Sequence, residues 1–291
     1  MTLRRAAPAK INLFLEVLGR RRDGFHDLLT LMHKIALHDT LTISPRNDGD
    51  IRLVCDDPSL PTDERNLVVR AALLLQVGCD RLVGADISLS KRIPVGAGLG
   101  GGSSDAATTL LGLNELWDLR LSAGSLHRLA SMLGSDVAFF LGADFARCEG
   151  RGDIIKPLPA LAPMHLVVLW PGIAVDTATV YRSSALDLDD IRMLPGSELD
   201  YARSIRVSPP FNRLRVPCIA EYPEVARALL KAESICAPRP VGLSGSGSSI
   251  FVAVDGADEA SDLAEMLRKT FSPPCVVEVT STLCTPIVED A

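Results

Sequence analysis

The stretch Pro94-Val95-Gly96-Ala97-Gly98-Leu99-Gly100-Gly101-Gly102-Ser103-Ser104-Asp105-Ala106-Ala107 is the most informative part of this chain. Five of the seven positions from Gly96 to Gly102 are glycine. Because glycine lacks Cβ, such a backbone adopts positive φ angles easily and lets a ligand approach closely. The serines and apolar residues that follow predict a capped helix over Ser104–Trp117. A flexible loop that leads into a helix N-terminus presents free N–H groups and a positive dipole end, which together suit phosphate.

Two common nucleotide-binding motifs do not explain this segment, residues 94–104, which we call the glycine loop. Gly96, Gly98 and Gly101 match the dinucleotide pattern G-x-G-x-x-G, but further glycines and two serines come before the helix is established. Glu115, the candidate ribose-binding acid, falls inside the predicted helix rather than at the end of a strand. A Walker A loop requires a lysine directly after its glycines, and none is present. A flexible surface linker remains as the non-functional alternative.

Composition limits the possible classes of protein. The 291 residues are enough for two domains, and the net charge of −6 argues against a general nucleic-acid-binding protein. The seven cysteines form no C-x-x-C pair, so they predict neither a zinc site nor a disulfide framework. The apolar runs are too short for a membrane span, and no signal peptide is expected. These features favour a cytosolic protein.

Local patterns predict a mixture of strands and helices. Residues 9–18 alternate between apolar and polar side chains as in a strand, which places Lys10 and Asn12 on one face. Asn66 is expected to cap a helix that runs to Val77. Further helices are predicted at 122–133, 223–232 and 258–271, and further strands at 85–93, 164–170 and 276–280.

The segment Pro157-Leu158-Pro159 is the best candidate for a domain linker, because two prolines in three residues interrupt both helix and strand. We therefore predict an N-terminal domain over residues 1–159 and a C-terminal domain over residues 160–291.

Four blocks of sequence carry a family resemblance when they are taken together. They are Pro8–Leu13 with Asp23–His26, the glycine loop, Gly134–Val137, and residues 242–248, which we call the serine–glycine loop. In this order they resemble the superfamily of galactokinase, homoserine, mevalonate and phosphomevalonate kinases (GHMP kinases). The extra glycines resemble the branch of that superfamily that acts on 4-diphosphocytidyl-2-C-methyl-D-erythritol.

The resemblance implies an α/β (α+β) fold of two GHMP-kinase domains with the active site in the cleft between them. It implies an ATP-dependent kinase that phosphorylates the 2-hydroxyl of the cytidine substrate, in the non-mevalonate route to isoprenoid precursors. One alternative is another small-molecule kinase of the superfamily, of homoserine or mevalonate type. A second is a catalytically inactive ATP-binding sensor.

Two residues are candidates for the phosphoryl-transfer chemistry. A carboxylate beside the acceptor hydroxyl can orient it and accept its proton, and the resemblance assigns this role to Asp136. The local sequence alone favours a helix cap at Asp136 instead, and the resemblance reverses that interpretation. The resemblance places Lys10 beside this aspartate, where it would hold the carboxylate ionised or lower the pKa of the hydroxyl. Without the resemblance, Lys10 would be a solvated strand lysine.

The remaining candidate residues are predicted to bind ATP or substrate. In the resembled family the residue matching His26 hydrogen-bonds the cytosine, and aromatic rings matching Phe25 and Tyr181 stack on it. Phe25 departs from the usual tyrosine, and Asp176 from the usual serine. Asn12 and Gly245 complete the predicted substrate contacts, although the serine–glycine loop could be a simple turn and Tyr181 a core residue. The predicted ATP-binding residues are Pro94, Val95, Gly96, Ala97, Gly98, Leu99, Gly100, Gly101, Gly102, Ser103 and Ser104.

Mg²⁺ is expected to bridge phosphate oxygens, with serines near Ser104 as the protein contacts. The sequence shows no dedicated carboxylate cage, so no metal-ligating residues are predicted. We expect a small-molecule cytidine diphosphate substrate, no nucleic-acid or membrane partner, and no obligate protein partner.

Overall fold

Strands and helices are mixed along the whole chain. The computed structural model describes residues 2–79 and 82–284. In these ranges the strands are β1 (Leu3–Arg20), β2 (His26–Arg46), β3 (Ile51–Cys55), β4 (Gly84–Ser90), β5 (Phe145–Gly150), β6 (Ile154–Pro157), β7 (His165–Trp170), β8 (Phe211–Asn212), β9 (Val241–Leu243), β10 (Ile250–Val254) and β11 (Val276–Ser281). The helices are α1 (Leu67–Gln76), α2 (Gly101–Leu116), α3 (Ala123–Leu133), α4 (Val137–Phe140), α5 (Thr177–Arg182), α6 (Glu198–Ser204), α7 (Arg215–Glu221), α8 (Pro223–Cys236) and α9 (Ala257–Thr270).

A long antiparallel pair, β1 with β2, is the centre of the larger sheet. The order of strands is β3-β4-β2-β1-β8, and β5 pairs with both β2 and β6. Alternation on β1 buries Ile11 and Leu13 in the core, while Lys10 and Asn12 share the opposite face and contact each other. The sequence therefore predicted the facing of this strand correctly, although β1 extends further at both ends than the predicted strand.

The helix after the glycine loop begins three residues earlier than predicted. α2 starts at Gly101, and its N-cap is Gly100, whose φ of 73° lies in the left-handed region. No side chain caps the helix, so the expected serine cap is wrong. The physical reason is that glycine at the cap makes the sharp entry turn without strain. Ser103 and Ser104 consequently lie in the first turn of the helix.

The smaller sheet has the strand order β11-β7-β10-β9, and α8 and α9 pack against it. The predicted boundary between residues 159 and 160 falls between β6 and β7, and the two-residue strand β8, from beyond it, pairs with β1. A shared apolar cluster joins Leu13 of β1 to Val168 of β7 and Phe251 of β10. The division into domains stays a prediction, but the two sheets meet through this cluster.

Helix caps explain why several helices were predictable. Asn66 caps α1 by accepting a hydrogen bond from the backbone N–H of Val68, and Ser122 caps α3 in the same way through Ser125.

Within the described residues, no helix combines the length and apolar character needed to cross a membrane.

Candidate active site

A cleft of about 990 Å³ lies between the glycine loop, β1, the start of β2 and the serine–glycine loop. It brings together predicted residues from distant parts of the sequence. The predicted site residues that line it are Lys10, Asn12, Phe25, His26, residues 94–103, Asp136, Tyr181 and Gly245. Ser104 does not line it, because its hydroxyl is buried in the first turn of α2. Their functional roles remain predictions at this point.

Lys10 and Asp136 face each other in the middle of the cleft. The Lys10 ammonium lies 3.7 Å from Asp136 Oδ2. It donates hydrogen bonds to Asn12 Oδ1 at 2.7 Å and to the Gly98 carbonyl at 3.0 Å. Burial lowers the pKa of Lys10, and the Asp136 carboxylate partly opposes this effect. The Lys10 side chain is only 4% exposed, whereas 36% of the Asp136 side chain is open to the cleft.

Asp136 stands immediately before α4 but does not cap it. Its carboxylate accepts no hydrogen bond from the backbone of this helix. The helix-cap alternative therefore does not describe Asp136, and the carboxylate is left facing Lys10. Lys34 closes the other end of α4 by donating to the Phe140 and Gly142 carbonyls at 3.3 and 2.6 Å.

A short hydrogen-bond chain fixes the amide of Asn12. Asn12 Nδ2 donates to Thr30 Oγ1 at 2.8 Å, and the Thr30 hydroxyl donates to the Phe14 carbonyl at 2.6 Å. The amide oxygen of Asn12 is thereby directed at Lys10. The sequence did not single out Thr30, because its role depends on the pairing of β2 with β1, and β2 had not been predicted.

β1 and the serine–glycine loop both contact the glycine loop at Gly98. Its carbonyl accepts hydrogen bonds from Lys10 Nζ and, at 2.9 Å, from Ser244 Oγ. Gly98 has φ of +75°, and a Cβ there would lie 2.2 Å from the Ser244 carbonyl oxygen. On the far side of the serine–glycine loop, Ser249 N donates to the Ala97 carbonyl at 3.1 Å. Only glycine allows this contact between the two loops.

A buried charged cluster supports the start of α2, and the sequence did not predict it. Lys91 pairs with Asp39 and lies 2.8 Å from Asp105 Oδ2. Burial raises the pKa of Asp105 to about 7. Asp105 Oδ1 and Ser104 Oγ are buried, and neither has a hydrogen-bond partner in the part of the chain that the structure describes. A signal was present in the Lys91-Arg92 pair before the glycine loop, but its partner Asp39 lies on a strand that the sequence did not reveal.

Aromatic side chains form the other end of the cleft. The His26 ring lies against the Tyr181 ring in a tilted arrangement, with ring centroids 5.0 Å apart and an angle of 32° between the planes. Phe25 is 49% exposed, and the Arg151 guanidinium lies 4.9 Å from its ring centre. Burial, with help from the Arg20 charge, lowers the pKa of His26, so its imidazole is neutral near pH 7. Tyr181 also lines the cleft, so it is not only a core aromatic residue.

Asp176 holds the helix that carries Tyr181. Its carboxylate accepts hydrogen bonds from Ala178 N and Thr179 N at the start of α5. The departure from serine at this position therefore keeps a residue that can cap a helix.

The chain is 40% identical over 281 residues to the 4-diphosphocytidyl-2-C-methyl-D-erythritol kinase of Ralstonia nicotianae, and the match covers 94% of this chain and 93% of that protein. The chain belongs to the 4-diphosphocytidyl-2-C-methyl-D-erythritol kinase family. A crystal structure of 4-(cytidine 5'-diphospho)-2C-methyl-D-erythritol kinase matches with a TM-score of 0.80 and 38% identity, over 96% of this chain and 99% of that one.

A domain model and a more distant solved structure agree with a GHMP-kinase fold. Residues 66–143 match the GHMP kinases N terminal domain. Homoserine kinase from Cytophaga hutchinsonii matches with a TM-score of 0.63 at 19% identity, over 97% of this chain and 95% of that one, which shows a shared fold alone. The family resemblance and the mixed α/β GHMP-kinase fold predicted from the sequence are confirmed.

Proposed function

We propose that this chain transfers the γ-phosphoryl group of ATP to the 2-hydroxyl of 4-diphosphocytidyl-2-C-methyl-D-erythritol. This reaction is a step of the non-mevalonate route to isoprenoid precursors. Phe25, His26 and Tyr181 form what we call the aromatic pocket. The observation that carries the proposal is that the Lys10–Asp136 pair, 3.7 Å apart, lies in one cleft with the glycine loop and this pocket. A phosphoryl donor and a cytidine acceptor placed at these two ends would meet at the pair.

Asp136 is the proposed general base. Its partly open carboxylate can accept a hydrogen bond from the 2-hydroxyl and take its proton as the phosphoryl group arrives. The buried Lys10 ammonium lies 3.7 Å from this carboxylate and holds it in the cleft by electrostatic attraction. It can also stabilise the negative charge that develops on the attacking oxygen. Asn12 and the Gly98 carbonyl fix the lysine in that position.

The glycine loop is the proposed cradle for the ATP phosphates. GHMP kinases use ATP as the phosphoryl donor, and the start of α2 offers backbone N–H groups with the positive end of its dipole. Asp105 lines the cleft, and its Oδ1, which has no hydrogen-bond partner among the described residues, is the kind of oxygen that Mg²⁺ accepts. Bound beside it and the phosphates, Mg²⁺ would neutralise phosphate charge. The described residues contain no group of three His, Cys, Asp or Glu side chains suited to a metal.

The aromatic pocket is the proposed cytosine site. Stacking on a ring is worth about 1–3 kcal/mol per base, and both Phe25 and Tyr181 offer a ring at the cleft surface. A neutral His26 has one donor and one acceptor nitrogen with which to read the base. This pocket favours the cytidine substrate over homoserine or mevalonate, since a small acyclic acceptor needs no base-stacking site.

The test measures ADP release from ATP with three acceptors in turn, namely the cytidine substrate, homoserine and mevalonate. We expect turnover with the cytidine substrate and at most background rates with the other two. Turnover with homoserine or mevalonate alone would show another GHMP kinase activity. ATP binding without turnover of any acceptor would favour the inactive sensor. A cytosolic location and the lack of an obligate protein partner remain predictions.

A further inference from the structure

The basic turn Arg20-Arg21-Arg22 at the end of β1 has no role in the phosphoryl transfer proposed above for Lys10 and Asp136. Its three arginines differ in their surroundings. Arg21 is neutralised by Asp23 at 3.1 Å and Asp27 at 2.6 Å. Arg22 is exposed and does not line the cleft. Arg20 is also exposed, but it lines the cleft, and no hydrogen bond or ion pair holds its guanidinium among residues 2–79 and 82–284.

Arg20 lies directly beside the proposed base-reading residue. The register of the hairpin pairs Arg20 of β1 with His26 of β2, so the two residues are cross-strand neighbours. Burial lowers the pKa of the His26 imidazole, and the neighbouring Arg20 charge lowers it further. A ligand that stacks its base near His26 therefore brings its next chemical group within reach of a free guanidinium.

The other two arginines at this end of the cleft already have partners. Arg151 lies over the Phe25 ring at 4.9 Å and contacts Asp153 at 3.3 Å. Arg182 lies 3.8 Å from Asp176. Neither can engage a new anion without weakening an existing contact, whereas Arg20 can.

We propose that Arg20 binds the phosphate that adjoins the nucleoside of the substrate, and so selects a pyrimidine nucleoside diphosphate over an uncharged nucleoside. A guanidinium presents a planar fork of N–H donors that matches two phosphate oxygens at once. The chain carries a net charge of −6, so an anionic substrate needs a local cation to offset the general repulsion. The inference rests on the proposed function, because it assigns one contact within the same site.

The experiment compares Arg20→Gln with Arg22→Gln, a control that removes the same charge from the same turn but away from the cleft. Binding of CDP, CMP and cytidine to each protein is measured by titration calorimetry, together with the KM for the cytidine substrate and for ATP. A charge-assisted hydrogen bond contributes enough that we expect Arg20→Gln to weaken CDP binding and raise the substrate KM by roughly 10-fold or more. The KM for ATP and the affinity for cytidine should match those of Arg22→Gln within about twofold.

Arg20→Lys separates the effect of the two-pronged guanidinium geometry from the effect of the positive charge. We expect it to recover only part of the CDP affinity that Arg20→Gln loses. If Arg20→Gln and Arg22→Gln bind CDP equally, the phosphate contact is refuted while the proposed function stands. An equal loss for cytidine and CDP would instead place Arg20 on the base and refute the inference. A wild-type protein that neither binds CDP nor turns over the substrate would overturn the proposed function itself.

Discussion

At the scale of single residues, the Asp136 carboxylate is the group on which the proposed chemistry depends most. Asp136→Asn keeps the shape of the side chain but removes its ability to accept a proton. We expect kcat to fall by roughly 100-fold or more, in the range found for general acid–base groups. ATP affinity, measured by equilibrium titration, should remain near the wild-type value, because Asp136 contacts Lys10 and not the glycine loop. An unchanged kcat would exclude Asp136 as the base.

Lys10 gives the reaction a pH dependence of defined sign. Burial lowers its pKa below the ordinary value of 10.5, and the proposed mechanism uses the protonated form. As the pH rises through this lowered pKa, the cation is lost. We therefore expect kcat to fall as the pH is raised, with the midpoint of the fall below pH 10.5. In Lys10→Arg, whose guanidinium stays charged, the alkaline decline should disappear even if the rate is lower. A decline that persists unchanged in Lys10→Arg would assign it to another group.

At the scale of elements, the close approach of the two loops predicts the effect of adding one methyl group. Gly98→Ala places a Cβ 2.2 Å from the Ser244 carbonyl oxygen at a residue whose φ is +75°. The strain and the displaced serine–glycine loop should cost roughly 1–3 kcal/mol of the free energy of unfolding, seen as a lower Tm. Contact between the loops also fixes Lys10, so kcat should fall.

Gly102→Ala is the matched control for the stability measurement. A Cβ at Gly102 meets only Leu67 Cδ1 at 3.8 Å, which is an ordinary contact. Alanine also suits a helix interior better than glycine by roughly 0.5–1 kcal/mol. We expect the Tm of this variant to equal or exceed that of the wild type. Equal losses of Tm in both variants would mean that the contact with Ser244 does not matter.

The elements that could be predicted from the sequence are those whose signals are local. Asn66 and Ser122 cap their helices with their own side chains, and the alternation on β1 is visible within ten residues. β2 was not predicted, although it is the longest strand of the described chain, because its burial comes from β1, β4 and β5 packing around it. α6 and α7 were also missed. α6 lies in a polar segment, residues 187–210, that is positioned by contacts with β1, such as Tyr201 with Phe14 and the Arg192 backbone with Glu16.

The same distinction applies to the site. Lys10, Asp136 and the glycine loop belong to short motifs and could be identified from the sequence. The Asp39–Lys91–Asp105 cluster and Thr30 could not, since their partners are brought together only by the pairing of β2 with β1 and β4. Burial of charge is a property of the folded chain, and no local sequence pattern indicates it.

At the scale of the whole molecule, a buried ion pair connects β1 to the chain that follows β8. Glu16 is fully buried and contacts Arg213 at 2.7 Å, and it also accepts hydrogen bonds from the backbone N–H groups of Val17 and Arg192. Arg213→Met leaves the Glu16 charge buried and unpaired. We expect a loss of about 3–5 kcal/mol in the free energy of unfolding, measured by urea denaturation.

The double variant Glu16→Leu/Arg213→Met provides the control for this prediction. Because it removes both charges, it should recover much of the lost stability relative to Arg213→Met. If the double variant is as unstable as the single one, packing of the arginine rather than its charge is what connects the two parts.

The two ends of the cleft are made of different chemical groups, and this matters for inhibitor design. The glycine loop offers mainly backbone, which carries no side-chain identity, so a compound shaped for it would also suit other chains with the same fold. The pocket of Phe25, His26 and Tyr181 is made of side chains, and a compound inserted between these rings should be selective. Resistance would be difficult to acquire there, because a substitution that rejects the compound would also weaken the hold on cytosine that we propose for these rings.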